Sequence, residues 1–366
     1  MKTNNCELND NLSLTEKIKE LRDRSLDRKK RVPDSQNDKP VAFWIKKDRL
    51  LNEVGKEFTI ILRTRGCKWA LSKTGGCSMC GYVQDASFEK VEPKDLIKQF
   101  DYAFYNKIEE IERDEANYIV KIFNSGSFFD ENEIPEEVKM HVYETVNTVK
   151  KIKEFVVESR VEYTDVNKLN EAKNSLKDKY IEIGIGIETV NDYIRNHYIN
   201  KGVSFQDFQN AVQTCKGIGI GIKAYLLFKP PFLTEIAAIE DCIRSIKTLI
   251  DLKINSISVN PVNVQKGTLT EYLWHQNKYR PPWFYSLMKC FKKALNEEDL
   301  KCTRILCDPS GAGTIRGIHN CLKRECNEDM INALEKFVLS QNLRYIRDLD
   351  TNCECYSIYL IQRDYC

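Results

Sequence analysis

The sequence predicts an α/β fold: a partial (β/α)6 barrel followed by a small cysteine-rich α+β extension. Three observations lead there. From Phe58 to about Val262, six short apolar runs alternate with amphipathic stretches of helical period. The runs are rich in β-branched residues, and consecutive strand–helix–strand units make right-handed crossovers and a parallel sheet. Beyond Thr268 the pattern changes to cysteines and glycines, which leaves too little chain for an eight-unit barrel.

The elements follow in order. Residues 1–50 read as a basic helix and a linker, with Leu14, Ile18 and Leu21 on one helical stripe. Arg22, Arg24, Arg28, Lys29, Lys30 and Arg31 can grip phosphates or form a solvated face paired by Asp23 and Asp27. Trp44, among Lys46, Lys47 and Arg49, can stack on a base or be an ordinary buried tryptophan. Residues 51–268 form the barrel. Its expected strands are Phe58–Leu62, Tyr118–Phe123, Phe155–Glu158, Tyr180–Ile187, Gly219–Phe228 and Ser256–Val262. Helices are expected over Pro93–Tyr105, Pro135–Lys150, Phe205–Lys216 and Glu235–Leu252. Residues 269–366 form the extension, with a helix over Trp283–Leu295 and a last strand over Tyr356–Gln362.

Composition sets the limits. A chain of 366 residues, 42% hydrophobic and 30% charged, buries a sizeable core. A net charge of +2 makes any nucleic-acid surface a local one. No apolar run approaches the 18 or so residues of a membrane span, and Met1–Thr15 is polar, so neither a span nor a signal peptide is expected. Fourteen cysteines without a secretory signal indicate a reducing cytoplasm and metal sites.

The chemistry centres on Arg63–Tyr82. Cys67, Cys77 and Cys80 stand there with nine and two residues between them. One turn aims Cys77 and Cys80 at a single metal, and Gly66, Gly75 and Gly76 let the loop bring Cys67 back. Three thiolates with an open fourth corner suit a [4Fe–4S] cluster; a three-cysteine zinc loop is the other reading.

A three-cysteine loop directly after a first strand, with Tyr82 just past the last cysteine, resembles the radical S-adenosylmethionine (SAM) superfamily. The nine-and-two spacing is similar to its elongator-like subgroup. The wider signature, R-T-x-G-C-x-W followed by G-G-C-x-M-C-G-Y, resembles the archaeosine synthase β-subunit family. That resemblance implies cluster ligation by Cys67, Cys77 and Cys80, with Met79 and Tyr82 beside the bound SAM.

Further segments take up the resemblance where strands end. Asn124-Ser125-Gly126-Ser127 stands where the superfamily has a glycine-rich turn for the SAM amino group, although the usual acidic third residue is missing. Glu158-Ser159-Arg160 is similar to segments facing SAM, where Glu158 can accept from the ribose and Arg160 can fork onto the carboxylate. Gly186 and Glu188, in G-I-G-I-E, are similar to the element against adenine. The rim residues Lys229, Asn260, Asn263 and Gln265 are candidates for holding substrate or SAM, or fix loops.

In the extension, Trp274, Tyr279, Arg280, Pro281, Pro282 and Trp283 form an aromatic, basic patch that caps the barrel mouth or stacks a splayed nucleotide. Cys307, His319, Cys321 and Cys326 supply four soft ligands for a tetrahedral zinc, with Cys353 or Cys355 able to replace one of them. Unliganded thiols are the alternative.

The resemblance implies a [4Fe–4S] cluster, SAM, an electron donor, tRNA, and a lysine-transferring archaeosine synthase α-subunit as partner. The implied reaction is radical cleavage of a C–N bond in the lysine adduct of 7-cyano-7-deazaguanine, giving archaeosine. Alternatives are an elongator-like enzyme acting on a wobble uridine and a zinc-dependent tRNA-binding module without catalysis. About 100 residues follow the sixth strand, fewer than the acetyltransferase domain of elongator-like enzymes.

Overall fold

A computed structural model describes residues 12–28, 36–87, 89–347 and 353–365 of the chain. The basic residues Lys29, Lys30 and Arg31 lie outside the described residues. Eight strands form one curled sheet in chain order. β1 (Ala42–Arg49) runs antiparallel to β2 (Val54–Ile61). Then β3 (Tyr118–Phe123), β4 (Ile152–Glu158), β5 (Tyr180–Glu188), β6 (Gly221–Phe228), β7 (Ser256–Pro261) and β8 (Arg304–Leu306) each add in parallel to the strand before.

Helices connect them. α1 (Leu14–Asp27) precedes the sheet, and α2 (Lys68–Leu71) is a single turn after β2. The crossovers are α3 (Pro93–Arg113), α4 (Glu136–Asn147), α5 (Val166–Leu176), α6 (Phe205–Ile218) and α7 (Glu235–Asp251). Local sequence explains their ends. Pro93 opens α3 at a position where no backbone donor is needed, and Ser204 with Asp207 forms a reciprocal cap on α6. Gly219, at φ 77°, closes α6 in the left-handed region.

Alternate strand residues face opposite ways. Phe58, Ile60, Val120, Val157, Ile183 and Ile222 belong to the main apolar core. The opposite set includes Glu57, Lys121, Glu154, Glu182 and Arg304, all buried. Arg304 bridges Glu154 at 2.8 Å and Glu182 at 2.7 Å, and Lys121 pairs with Asp48 at 2.7 Å and with Glu57. Glu154, Glu182 and Arg304 lie near the starts of their strands and Glu57 and Lys121 at mid-strand, so the charged set is weighted toward the end where the parallel strands begin. The loops leaving the strand ends gather at the other rim.

The chain beyond Thr268 shares this body. α8 (Leu269–His275), α9 (Phe284–Ala294) and α10 (Asp299–Cys302) lie between β7 and β8, and α9 packs on α7. α11 (Arg324–Ser340), α12 (Arg344–Arg347) and α13 (Cys355–Gln362) complete it. The sheet therefore gains two strands, β1 and β8, beyond the six expected. Trp44 lies on β1, where its ring nitrogen donates to Glu57 at 2.8 Å, so a stretch read as linker is an edge strand. Tyr356–Gln362, expected as a strand, is helical: Cys355, Tyr356 and Tyr359 share a face, and both tyrosine rings meet Tyr285. Tyr279 and Trp283 are buried, and Arg280 lies 3.7 Å over the Trp283 ring while donating to the carbonyls of His319 and Asn320.

Candidate active site

The loop after β2 carries Cys67, Cys77 and Cys80 as free, half-buried thiols. Three glycines take backbone that other residues adopt poorly: Gly66, Gly75 and Gly76 have φ of 103°, 72° and 82°. A Cβ on Gly76 would come within 2.6 Å of Ala70 Cα, so the turn has no room for a side chain. The loop is then fastened from three remote places. Asn200, at the end of the π-helical turn after β5, donates to the carbonyls of Thr74 at 3.0 Å and Gly76 at 2.8 Å. Gln265, after β7, accepts from the Gly81 amide. Arg22 of α1, 1% exposed, donates to the carbonyls of Gly75 at 3.1 Å, Cys80 at 2.5 Å and Cys77 at 3.4 Å.

Arg22 belongs to the basic stretch that the sequence offers to phosphates, yet it points inward. Its Nη1 is buried without a hydrogen-bond partner. Neighbouring Arg24 pairs with Glu20 and Asp23 pairs with Lys19 on the helix surface. α1 is held there because Ile18 packs with Val262, Val264, Leu269 and Leu273.

Burial pushes all three thiols up, Cys77 to about 12, while Lys201 beside Cys77 and Arg22 beside Cys80 pull the other way. Unliganded, they are neutral; a metal that takes them as thiolates displaces their protons.

The remaining strand ends close around the loop. At the end of β3, Ser125 donates from Oγ to the Tyr82 carbonyl at 3.2 Å, and Ser127 Oγ accepts the Arg160 amide at 3.1 Å. Asn124 Oδ1 is buried without a partner. Beneath the turn sits a group that motif reading missed. Glu133 accepts from Asn124 Nδ2 at 2.8 Å, the Ser127 amide at 3.1 Å and Thr64 Oγ1 at 3.1 Å. It packs so close under Gly126 that a Cβ there would overlap its carboxylate. Burial raises Glu133 to about 7, against the pull of those three donors. A carboxyl group from seven residues downstream of Gly126 thus lies beneath the turn.

On β4 and beyond, Glu158 is raised by burial, offset in part by the Tyr225 hydroxyl. Arg160 stacks 5.1 Å from the Trp69 ring, bonds Glu162 at 2.5 Å and donates to the Lys201 carbonyl at 3.2 Å. β5 bulges between Gly186 and Glu188, and Glu188 takes φ 65°. That kink turns its carboxylate onto Lys201 at 2.7 Å, and Gly186 leaves space for both groups. Burial draws the Lys201 ammonium down, but Glu188 and Cys77 outweigh it and hold it above the usual lysine range. Lys201 carries no motif signal; only its place after Asn200 brings it to the cysteines. Asn260 accepts from Ser258 Oγ at 3.1 Å on β7. Met79 sits half-buried between Cys77 and Cys80, and Tyr82 is 57% exposed at the rim. Lys229 follows the end of β6, but its side chain is buried against Glu235 at 2.7 Å.

The tail cysteines assemble differently from expectation. Cys321 and Cys326 meet Cys353 and Cys355, with all four sulfurs within 4.8 Å of one another. Cys307 and His319 do not join them. Pairing of β8 with β7 carries Cys307 into the core near Cys242 and Cys290, and His319 turns Nδ1 to the Gly317 carbonyl at 2.8 Å.

The fold and site together define a curled, mostly parallel half-barrel that carries three thiols on the loop leaving its first parallel strand. Relatives narrow this further. Archaeosine synthase subunit beta of Methanosarcina acetivorans is 37% identical over 351 residues, covering 95% of each chain. The subunit beta of Thermococcus kodakarensis is 34% identical over 88% of this chain and 97% of its own. An uncharacterised protein of Methanocaldococcus jannaschii is 41% identical over 96% of this chain and 93% of its own. The chain belongs to the archaeosine synthase subunit beta family. No family model matches it. Among solved structures, archaeal Elp3 of Methanocaldococcus infernus aligns with 66% of this chain and 59% of its own, at TM-score 0.48 and 16% identity. Among the described residues, no helix is long and apolar enough to cross a membrane.

Proposed function

We propose that this chain is the radical-generating subunit of a tRNA-modifying lyase, breaking a C–N bond in the lysine adduct of 7-cyano-7-deazaguanine and leaving the amidine of archaeosine. The observation that carries the reading is the pair of relatives named archaeosine synthase subunit beta, at 34–37% identity over most of the chain. Their naming as a beta subunit supports a partner α-subunit, which installs the lysine. An electron donor and a cytoplasmic setting follow from the same reading.

The residues fit a [4Fe–4S] cluster: three free thiols converge in one loop, and an unpaired buried Arg22 N–H stands beside the turn holding Cys77 and Cys80. A [4Fe–4S] cluster held there together with SAM would supply 5′-deoxyadenosyl radical chemistry, able to take hydrogen from the lysine side chain. Cys67, Cys77 and Cys80 would hold three corners. Asn124 Oδ1, unpaired at the Asn124–Ser127 turn, offers an acceptor to the SAM ammonium, with the Glu133 carboxyl group hydrogen-bonded to the same turn from below. Arg160 would exchange Glu162 for the SAM carboxylate, and Glu158 would face the ribose. Gly186, Glu188 and Asn260 line the same rim, beside Met79 and Tyr82. The buried charged set toward the opposite end closes the barrel to water from below.

Anaerobic incubation with SAM, a reductant and tRNA bearing the lysine adduct tests this. Release of 5′-deoxyadenosine together with archaeosine is the expected result. Radical formation without archaeosine would refute the substrate; neither product, from iron-loaded protein, would refute the chemistry.

A further inference from the structure

The geometry points to a second metal centre: a closed, four-thiolate site for one tetrahedral zinc ion, made by Cys321, Cys326, Cys353 and Cys355. The four come from two separate segments, the turn and first residues of α11 and the start of α13. Their sulfurs approach at 3.8 Å for Cys321 and Cys353 and 3.7 Å for Cys326 and Cys355, and none is further than 4.8 Å from another. A zinc–sulfur bond of about 2.3 Å makes the edge of a tetrahedron of sulfurs about 3.8 Å. A disulfide needs sulfurs at about 2.05 Å. A four-iron cubane spreads its thiolates to roughly 6 Å, so the set is too tight for a cluster and too loose for disulfides.

A second observation comes from the polar groups around the sulfurs. The Tyr285 hydroxyl lies 3.3 Å from Cys355 Sγ and 3.8 Å from Cys326 Sγ, and Asn320 Nδ2 donates to Cys326 Sγ at 3.7 Å. Asn327 fixes the turn that carries Cys321, donating to the carbonyls of Cys321 at 2.5 Å and Lys323 at 3.0 Å. Donors converging on sulfur suit thiolate ligands, whose negative charge a simple core of thiols would not have. All four corners are protein, which leaves no position for substrate and makes the centre structural.

What the ion holds is α13. Eight residues cannot sustain a helix alone, and Ile358 and Ile361 on it are exposed. Through the cysteines the helix is tied to α11, and its last turn meets α7, where Ile236 donates to the Arg363 carbonyl at 3.2 Å. Tyr365 then forms part of the wall of a groove of ≈ 810 Å³ with Phe232, Trp274 and Lys278.

The test uses the full chain with Cys67→Ser, Cys77→Ser and Cys80→Ser, which removes the other metal loop. Purified under nitrogen, it is expected to retain one zinc per chain by elemental analysis. Cobalt(II) in place of zinc is expected to give the intense ligand-field bands of a tetrahedral thiolate site. Tyr285→Phe is expected to weaken zinc about tenfold or more. In the unaltered chain, zinc is expected to shield Cys321, Cys326, Cys353 and Cys355 from alkylation while Cys302 reacts. Metal-free protein with all four thiols reactive overturns the assignment. So does an iron–sulfur chromophore on reconstitution of the triple variant.

Discussion

Replacing Arg22 by Met removes a buried guanidinium from beneath the cysteine loop while keeping most of its apolar stem. The two well-formed bonds, to Gly75 at 3.1 Å and Cys80 at 2.5 Å, are lost, along with the longer one to Cys77 at 3.4 Å. A hydrogen bond from a charged group contributes about 1.5–3 kcal/mol, so the two good ones at the low end amount to about 3 kcal/mol. If that free energy orders the loop, retention of iron weakens about 100-fold, since each 1.4 kcal/mol is a factor of ten. The assay is competition with an iron chelator after anaerobic reconstitution. The midpoint for Arg22→Met is expected about two decades below that of the unaltered chain, with Arg22→Lys between them. Equal midpoints would refute the argument. So would an identical loss of global stability in a chain whose three loop cysteines are serine, because the effect would then be one of folding alone.

Three further outcomes follow from the same rim. Glu133, held near 7 against an ordinary 4.5, binds its proton more tightly in the folded than in the unfolded chain, so its contribution to stability is full below about 4.5 and is lost as pH rises to about 7. Denaturant titrations across that window should show a decline on the order of 3 kcal/mol that Glu133→Gln abolishes. Lys201→Met leaves Glu188 buried and unpaired, which should cost about 3–5 kcal/mol, and adding Glu188→Gln should recover part of it in a double-mutant cycle. Arg160→Lys keeps the charge but not the fork, so the KM for SAM should rise about tenfold or more with a smaller change in kcat.

Most of the barrel was legible because parallel strands buried on both faces read as continuous apolar runs and their helices carry a clean period. β1 and β8 were not. β1 is half-exposed and mixed in polarity, and β8 has only three residues, so neither stands out in a local pattern. Ile358, Leu360 and Ile361 suggest a strand by propensity, yet the Cys355–Tyr359 spacing against Tyr285 decides for a helix. Cys67, Cys77 and Cys80 were expected together on one loop after a strand, and the fold places them there. Arg22, Glu133 and Lys201 were not, since each reaches the site through tertiary packing from outside any motif. The tail set was legible in part: Cys321 and Cys326 converge, joined by Cys353 and Cys355, which had been named as replacements, whereas Cys307, close to Cys321 in sequence, is taken elsewhere beside the sheet.

The fastenings of the cysteine loop have a consequence for how the protein is made. Arg22, Asn200 and Gln265 are spread across most of the chain, and the loop they clasp lies between the first and second of them. On the ribosome the helix bearing Arg22 emerges early but has nothing to seat on, because Val262 and Leu269 have yet to be synthesised. The cysteine turn therefore takes its shape only after some 270 residues are out, so on the proposed function delivery of iron and sulfide belongs after translation of the barrel rather than during it.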